Sequence, residues 1–475
     1  MNLDQAVADL NLLGAGLGSD VSSWASWRAI LRATYGLPLD GPQAETFNRL
    51  AGGRGAPQSA VSEFWAVVGR RSGKSRMAAA VAIFEACFAG HEKKLAPGET
   101  GIVAVISASK WSAKAIHGYC LGFLRSSPIL AQLIRTAGAE EITLDNGLAI
   151  EIRSGNFRTV RGRTLVAAVL DEVAYWRSEE SSNPDVETYR AILPALATTG
   201  GKLLGISSPY RKAGLLHQKW RDHYGRDGGD VLVIQGASLD LNATLDPAIV
   251  ERSRASDPEG AKAEWDGQFR DDISDFLTIE AIRDCIEEGV RERPADRWCR
   301  YIGFCDPSGG SSDSMTLAIA HREGDTAILD AVREVRPPFS PEAVVAEFAA
   351  LLKSYRCSKA YGDRYAGEWP VEQFRRHGVW FEQSAAPKSD LYRDLLPLIN
   401  SGAVELLDDA RLVHQLASLE RRTARGGRDS IDHPPGGHDD VANAAAGALV
   451  MAQATTGRQA GSLRPVVAPF VQSGW

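Results

Sequence analysis

Residues 63–75 read EFWAVVGRRSGKS, and the chain runs on as RMAAAVAIFEACFAG. A short apolar run, a glycine-containing loop and an alanine-rich stretch predict strand, loop and helix in direct succession. That context suits a phosphate-binding loop, in which backbone N–H groups and a helix N-terminus face an anion. Lys74 is placed to reach the β- and γ-oxygens of a triphosphate, and Ser75 to ligate Mg²⁺. Gly69, Arg70, Arg71, Ser72, Gly73, Lys74 and Ser75 are therefore the candidate ATP-binding residues. The usual pattern G-x-x-x-x-G-K-[ST] assigns its first glycine to position 68, which is Val68; a glycine follows one residue later. The alternative reading is a surface Gly/Lys turn.

About 100 residues downstream, TLVAAVLDE ends an apolar run on Asp171 and Glu172. A buried strand that delivers two carboxylates to a sheet's C-terminal edge puts them where ligands bind. Asp171 is then the candidate metal-holding acid and Glu172 the catalytic one that polarises water. KLLGISSPY ends the next apolar run on Ser207 and Ser208, either a γ-phosphate sensor that couples hydrolysis to motion or a strand-ending turn. Two arginines are candidates for stabilising transition-state charge, Arg70 within the loop in cis and Arg161 in RTVRGRT for a neighbouring subunit; the alternative for each is a solvated surface arginine.

Strands alternating with helices predict an α/β fold with a mostly parallel sheet. The expected division is a helical and loop-like lead-in over 1–60, a P-loop ATPase domain over 61–245, a linker region over 246–295, a nuclease-like domain with a mixed sheet over 296–453, and a flexible tail over 454–475. EITLDNGLAIEIRSG is a hairpin turning at Asn146-Gly147. SMTLAIAHREGDTAILDAVREV is a second, turning near Glu323-Gly324. ARLVHQLASLERR reads as one helix, and HDDVANAAAGALVMAQA as a closing small-residue helix.

The later half presents acids at the ends of separate elements. Asp306 ends the strand in GFCDPSGG, Asp363 ends KAYGD, and Asp439 and Asp440 open the last helix. Clustered carboxylates repel unless cations lie between them, and hard divalent ions suit an all-oxygen set. Asp306, Asp363, Asp439 and Asp440 are the candidate metal ligands, with Asp306, Asp363 and Asp440 catalytic, for two Mg²⁺ or Mn²⁺ ions in phosphodiester hydrolysis. Taken singly, each is equally a turn residue or helix cap. His438, Lys388 and Asp313 are weaker accessories. Arg421, Arg422, Arg425 and Arg428, among glycines, form a basic loop that either contacts a DNA backbone or is simply solvated.

The composition neither forbids nor demands this chemistry. The formal net charge is −7, so any contact with nucleic acid must come from local patches. The six cysteines include no C-x-x-C pair and read as reduced thiols. No run of 18 apolar residues occurs, and a cytoplasmic, non-secreted chain without a membrane partner is expected.

The ordered series VVGRRSGKS, VLDE, SSP, FCDPSGG, YGDRYAGEW and GHDDVANA resembles the large terminase subunit of tailed bacteriophages and related gene-transfer particles. The resemblance covers about residues 60–450. It implies an N-terminal ASCE-type ATPase and a C-terminal RNase H-like nuclease. It further implies a homo-pentameric ring on the portal protein of a procapsid in the host cytoplasm, threading double-stranded DNA inward and cutting concatemers, with a small terminase subunit choosing the site. The shifted glycine is similar to what terminases show. The alternative function is a helicase-nuclease or transposition-type enzyme with no capsid partner, and a further one is a non-catalytic scaffold.

Overall fold

The computed structural model describes all residues except 19, 108–109, 155–161, 177–183, 312, 364–368, 424–428 and 456–475. The chain divides into two compact units, Met1–Ser274 and Asp275–Trp475. This division falls inside the expected linker 246–295. The helices Pro247–Ser256 and Pro258–Glu264 belong to the first unit, because Val250, Ala261 and Ala263 are buried there rather than solvated.

The first unit is built on β1 (Glu63–Val68), β2 (Gly101–Ser107), β3 (Ile134–Ala137), β4 (Glu141–Leu144), β5 (Leu148–Ser154), β6 (Thr164–Asp171), β7 (Lys202–Ser207) and β8 (Val231–Gly236). They form one sheet in the order β3-β4-β5-β2-β6-β7-β1-β8. The run from β5 to β8 is parallel throughout, and β3 and β4 add an antiparallel edge. The hairpin expected at Asn146-Gly147 joins β4 to β5, with Gly147 at φ 84°.

A strand buried on both faces needs no polar alternation. In β1, Phe64, Ala66 and Val68 pack into one core, and Trp65 and Val67 into the core on the opposite face. The sequence 1–60, expected as a lead-in, is part of the first of these cores. Leu3, Val7, Trp27, Ile30, Phe47 and Leu50, from three short helices, are buried in it.

One topological feature positions the chemistry. β7 lies between β1, which leads into the candidate phosphate loop, and β6, which carries Asp171 at its end. The ends of β1, β6 and β7 therefore lie at one edge, with the phosphate loop and the carboxylates separated by one strand's width, roughly 5 Å on either side. This interposed strand is the arrangement expected of the ASCE type.

In the second unit the strands after β9 (Ile273–Asp275) are β10 (Ile286–Glu287), β11 (Tyr301–Asp306), β12 (Met315–Glu323), β13 (Thr326–Val335), β14 (Lys359–Gly362), β15 (Trp380–Gln383) and β16 (Val404–Leu407). The sheet order is β10-β16-β13-β12-β11-β14-β15. β12 runs antiparallel between β11 and β13, and β14 and β15 continue parallel to β11. The helix Pro341–Ser354 covers one face. The helix Asp440–Ala454 lies on the other, among Phe304, Ala318, Ala320 and Leu329. Its alanines and glycine permit a close approach: a Cβ at Gly447 would sit 2.3 Å from the Phe304 ring.

The stretch ARLVHQLASLERR is not one helix. Its helix is Ala410–Ser418, and Glu420–Thr423 is strand β17, paired antiparallel with β18 (Asp429–Asp432). The buried Leu419 separates the two elements.

Candidate functional sites

In the first unit the loop after β1 is shaped by close contacts. A Cβ at Gly69 would lie 2.3 Å from Ser238 Oγ and 2.4 Å from the carbonyl oxygen of Trp265. This explains a glycine at 69, while Val68 still completes the buried strand. Gly73 sits at φ 87°, and a Cβ there would meet the Trp24 ring at 2.5 Å. Outer residues hold the loop's backbone: Trp27 Nε1 donates to Ser72 O at 2.7 Å, Ser238 Oγ to Arg70 O at 2.6 Å and Asn242 Nδ2 to Arg71 O at 2.7 Å. These supports come from before residue 60 and after residue 235, where the sequence offers no motif.

Lys74 opens the helix Lys74–Cys87 and is buried. Its Nζ lies 3.0 Å from Glu172 Oε1 and donates to Ser208 Oγ at 3.3 Å. Glu172 sits just past β6 in the left-handed region, φ 51°. Its Oε2 accepts from the Ser208 N–H and lies 3.3 Å from Ser207 Oγ. Lys74, Glu172, Ser207 and Ser208 thus form one connected group. Asp171 is buried beside them, and Ser107 Oγ donates to its Oδ2 at 3.4 Å. Burial first, then the Glu172 charge, pushes the Asp171 carboxyl up to about 7, against the pull of Lys74.

Arg70 turns to Glu264, Nε to Oε2 2.6 Å, with its side chain more than half exposed. Arg161 lies outside the described residues.

In the second unit, β11 and β14 pair in parallel with Cys305 opposite Gly362. The next position on each strand's path is an aspartate, Asp306 and Asp363, so the two lie side by side. Asn443 Nδ2 donates to Asp306 Oδ2 at 2.9 Å. Asn443 follows Asp440 by three residues on one helix, so the same face carries both. Burial pushes the Asp306 carboxyl up to about 8; the Asn443 hydrogen bond opposes this, and Asp440, Asp439 and Asp363 add to it. Burial likewise raises Asp440 to about 6, with Asp439 adding and His438 opposing.

Asp439 faces differently from the expected ligand set. Its Oδ2 accepts from Tyr392 Oη at 2.8 Å and pairs with Lys388 Nζ at 3.1 Å. Lys388 also reaches Asp432 Oδ1 at 2.7 Å. Asp432, His433 and Asp439 each bring one ligand atom within 4.8 Å of the others, but the Lys388 ammonium already bridges the two carboxylates. Lys388 is therefore bound between two acids rather than an exposed lysine. Tyr392, one helical turn after Lys388, and Asn443 were missed in the sequence, although spacings of four and three residues from flagged positions would have found them.

His438 Nδ1 lies 3.7 Å from Asp313 Oδ1. Arg421 lies on β17 near Asp429, at 3.6 Å; Arg422 donates to the His433 carbonyl at 3.0 Å and lies 3.4 Å from Glu420. The Arg421 guanidinium also lies over the Phe276 ring, 5.6 Å from its centre. Arg425 and Arg428 lie outside the described residues.

Both sites fit divalent cations. Asp171 Oδ1 and Ser72 Oγ in one, and Asp440 Oδ2 in the other, are buried with no hydrogen-bond partner among the described residues. The donors are oxygens, and the acids crowd one another at raised pKa, which a hard cation relieves.

The fold and sites define a two-unit α/β protein: one unit with a glycine loop and an acid pair at the edge of a mostly parallel sheet, and one with a mixed sheet and acids at adjoining strand ends. Among solved structures it resembles large terminases of bacteriophages. The HK97 bacteriophage large terminase matches with 14% identity and a TM-score of 0.37, covering 87% of this chain and 95% of that one. The ATPase domain of the Thermus phage P74-26 large terminase, as the R139A mutant, matches with 20% identity and a TM-score of 0.35, over 45% of this chain and 90% of that one. The large terminase nuclease of thermophilic phage G20c matches with 16% identity and a TM-score of 0.32, over 36% of this chain and 95% of that one; it has also been solved with bound magnesium. No protein-family model matches the sequence, and no curated protein does. Among the described residues, no helix is long and apolar enough to cross a membrane.

Proposed function

We propose that this chain is the motor subunit of a viral DNA-packaging machine, hydrolysing ATP to translocate double-stranded DNA and cutting that DNA with a metal-dependent nuclease. The observation that carries the reading is the presence of two differently built sites on two sheets of one chain. One joins a glycine loop and lysine to a strand-end carboxylate pair; the other gathers carboxylates alone.

In the first site, the backbone N–H groups of 69–75 and the Lys74 ammonium bind the phosphates. Ser75 and Asp171 would hold Mg²⁺, which supplies charge neutralisation when bound. Glu172 accepts a proton from the attacking water. Ser207 and Ser208, hydrogen-bonded to Glu172 and Lys74, carry the loss of the γ-phosphate into β7. Arg70 stabilises charge in cis once it leaves Glu264; Arg161 is the candidate to act on a neighbour.

In the second site, Asp306, Asp363 and Asp440 would hold Mg²⁺ or Mn²⁺, whose chemistry when bound is activation of water and stabilisation of the leaving oxygen. Asn443 orients Asp306. Asp439, held by Lys388 and Tyr392, contributes charge beside the ligands. Contacts to a DNA backbone carry no base information, so cleavage with little sequence preference is part of the proposal. Site choice would fall to a small terminase subunit, with force applied through a homo-pentameric ring docked on the portal of a procapsid in the host cytoplasm.

The test is a crossed pair of variants of the full chain. Lys74→Ala abolishes ATP hydrolysis and leaves Mn²⁺-dependent plasmid cutting. Asp306→Ala abolishes cutting and leaves ATP hydrolysis. Loss of both activities in both variants, or of neither, contradicts the reading.

A further inference from the structure

A groove of 720 Å³ in the second unit has Pro307, Gly309, Pro341, Glu342, Trp369 and Pro370 on its walls. Its position follows from the strand ends. Pro307 comes directly after Asp306 on β11, and Trp369 opens the helix Trp369–Arg376 that follows β14 and Asp363. Since β11 and β14 are parallel neighbours, the groove runs off the same sheet edge that bears the two acids, where ligands of such sheets bind.

Three prolines, a glycine and a tryptophan ring that is 39% exposed make the apolar part of the lining, and the hydroxyls of Ser308 and Ser340 make its neutral polar part. Among the described residues, the charged group on its walls is the carboxylate of Glu342, and no lysine or arginine lines the groove. That chemistry repels a phosphate and suits an uncharged planar group. Enzymes working on DNA hold extruded bases between aromatic and apolar side chains, and base–aromatic stacking is indifferent to base identity. A volume of this size lies within the range of small-molecule sites, with room for one nucleobase.

We propose that Trp369 and this groove hold one unstacked base of the DNA strand, next to the phosphodiester that the carboxylates cut. The inference rests on the nuclease reading of Asp306, Asp363 and Asp440. Holding a base there fixes the strand relative to the acids. DNA whose bases are already unpaired escapes the cost of unstacking, so it is the better substrate.

The experiment uses the full chain, Mn²⁺ and two labelled oligonucleotide duplexes, one fully paired and one with a short central bubble carrying 2-aminopurine. The wild type cuts the bubble faster than the paired duplex, and 2-aminopurine fluorescence is quenched on binding. Trp369→Ala lowers bubble cutting about tenfold and relieves the quench, while Trp369→Phe keeps both. Gly309→Leu, whose side chain enters space with no atom within 4 Å of its Cβ, fills the groove from the other wall and gives the same loss. Mn²⁺ binding measured by calorimetry is unchanged in all three variants. The proposal is overturned if Trp369→Ala and Gly309→Leu cut the bubble at the wild-type rate, or if the wild type shows no preference for it. A wild-type chain that cuts neither duplex removes the nuclease reading and this inference together.

Discussion

Lys74 and Glu172 face each other at 3.0 Å, Nζ to Oε1, with the lysine side chain 8% exposed and the glutamate 30%. The contact joins the first residue of the loop helix to the end of β6, across the intervening β7. On the proposed reading these two side chains have separable roles. Glu172→Gln keeps the shape but loses the base, so ATP hydrolysis falls about 10²–10⁴-fold while nucleotide still binds. Lys74→Ala loses binding as well. Nucleotide affinity measured beside turnover distinguishes the two, and equal affinity losses in both variants contradict the division of roles.

The shifted glycine gives a second expectation. At Gly69 any side chain meets Ser238 Oγ and the Trp265 carbonyl at under 2.5 Å. Backbone cannot yield cheaply, so Gly69→Ala destabilises the first unit by about 1–3 kcal/mol and weakens nucleotide binding. Denaturant unfolding measures the first effect. Val68→Gly, which restores the usual pattern, leaves the clash-free position unimproved and instead removes a buried side chain from the end of β1.

Acidity supplies a third. Burial raises Asp306 to about 8 and Asp440 to about 6, against an ordinary aspartate value of about 4. The folded chain therefore keeps protons that the unfolded chain has already released. Stability contributed by these groups is present below about pH 4 and is lost as pH rises toward about 8. In EDTA the melting temperature of the second unit falls across that window; with Mg²⁺ present the fall is smaller, because the cation favours the ionised acids. Calorimetry over that window reads both, and a Mg²⁺ effect that shrinks with rising pH contradicts the assignment.

Lys388 supplies a fourth. Its ammonium is shared by Asp432 and Asp439, and Asp439 is buried. Lys388→Met leaves that carboxylate with Tyr392 as its side-chain partner, at a cost of about 1–3 kcal/mol. Lys388→Arg recovers part of it. A Lys388→Met variant as stable as the wild type in urea contradicts the pairing.

What the sequence makes legible here is local. The strand–loop–helix around Lys74, the acid pair ending β6 and the aspartates ending β11 and β14 are each contiguous signals, and apolar runs followed by Gly or Asp point to sheet ends. The contributions of Trp24, Trp27, Ser238 and Trp265 to the phosphate loop are tertiary: each is an ordinary residue until the fold brings it to Gly69, Ser72 or Gly73. The same holds for Lys388, whose partners lie 44 and 51 positions away. The charge of 246–295 suggests a linker, but short helices with a few small buried residues, such as Pro258–Glu264, pack well while looking solvated. The helix expected through Arg422 ended early because the strand β17 pairs with β18, a preference that helical periodicity alone does not reveal.

The central claim is that acids from distant parts of the second unit gather to bind divalent cations. Anomalous diffraction from a crystal soaked in Mn²⁺ tests it most directly. The expected result is manganese density coordinated by Asp306, Asp363 and Asp440, with Lys388 still on Asp439. Manganese absent from those three carboxylates, or bound only at Asp432, His433 and Asp439, contradicts the account.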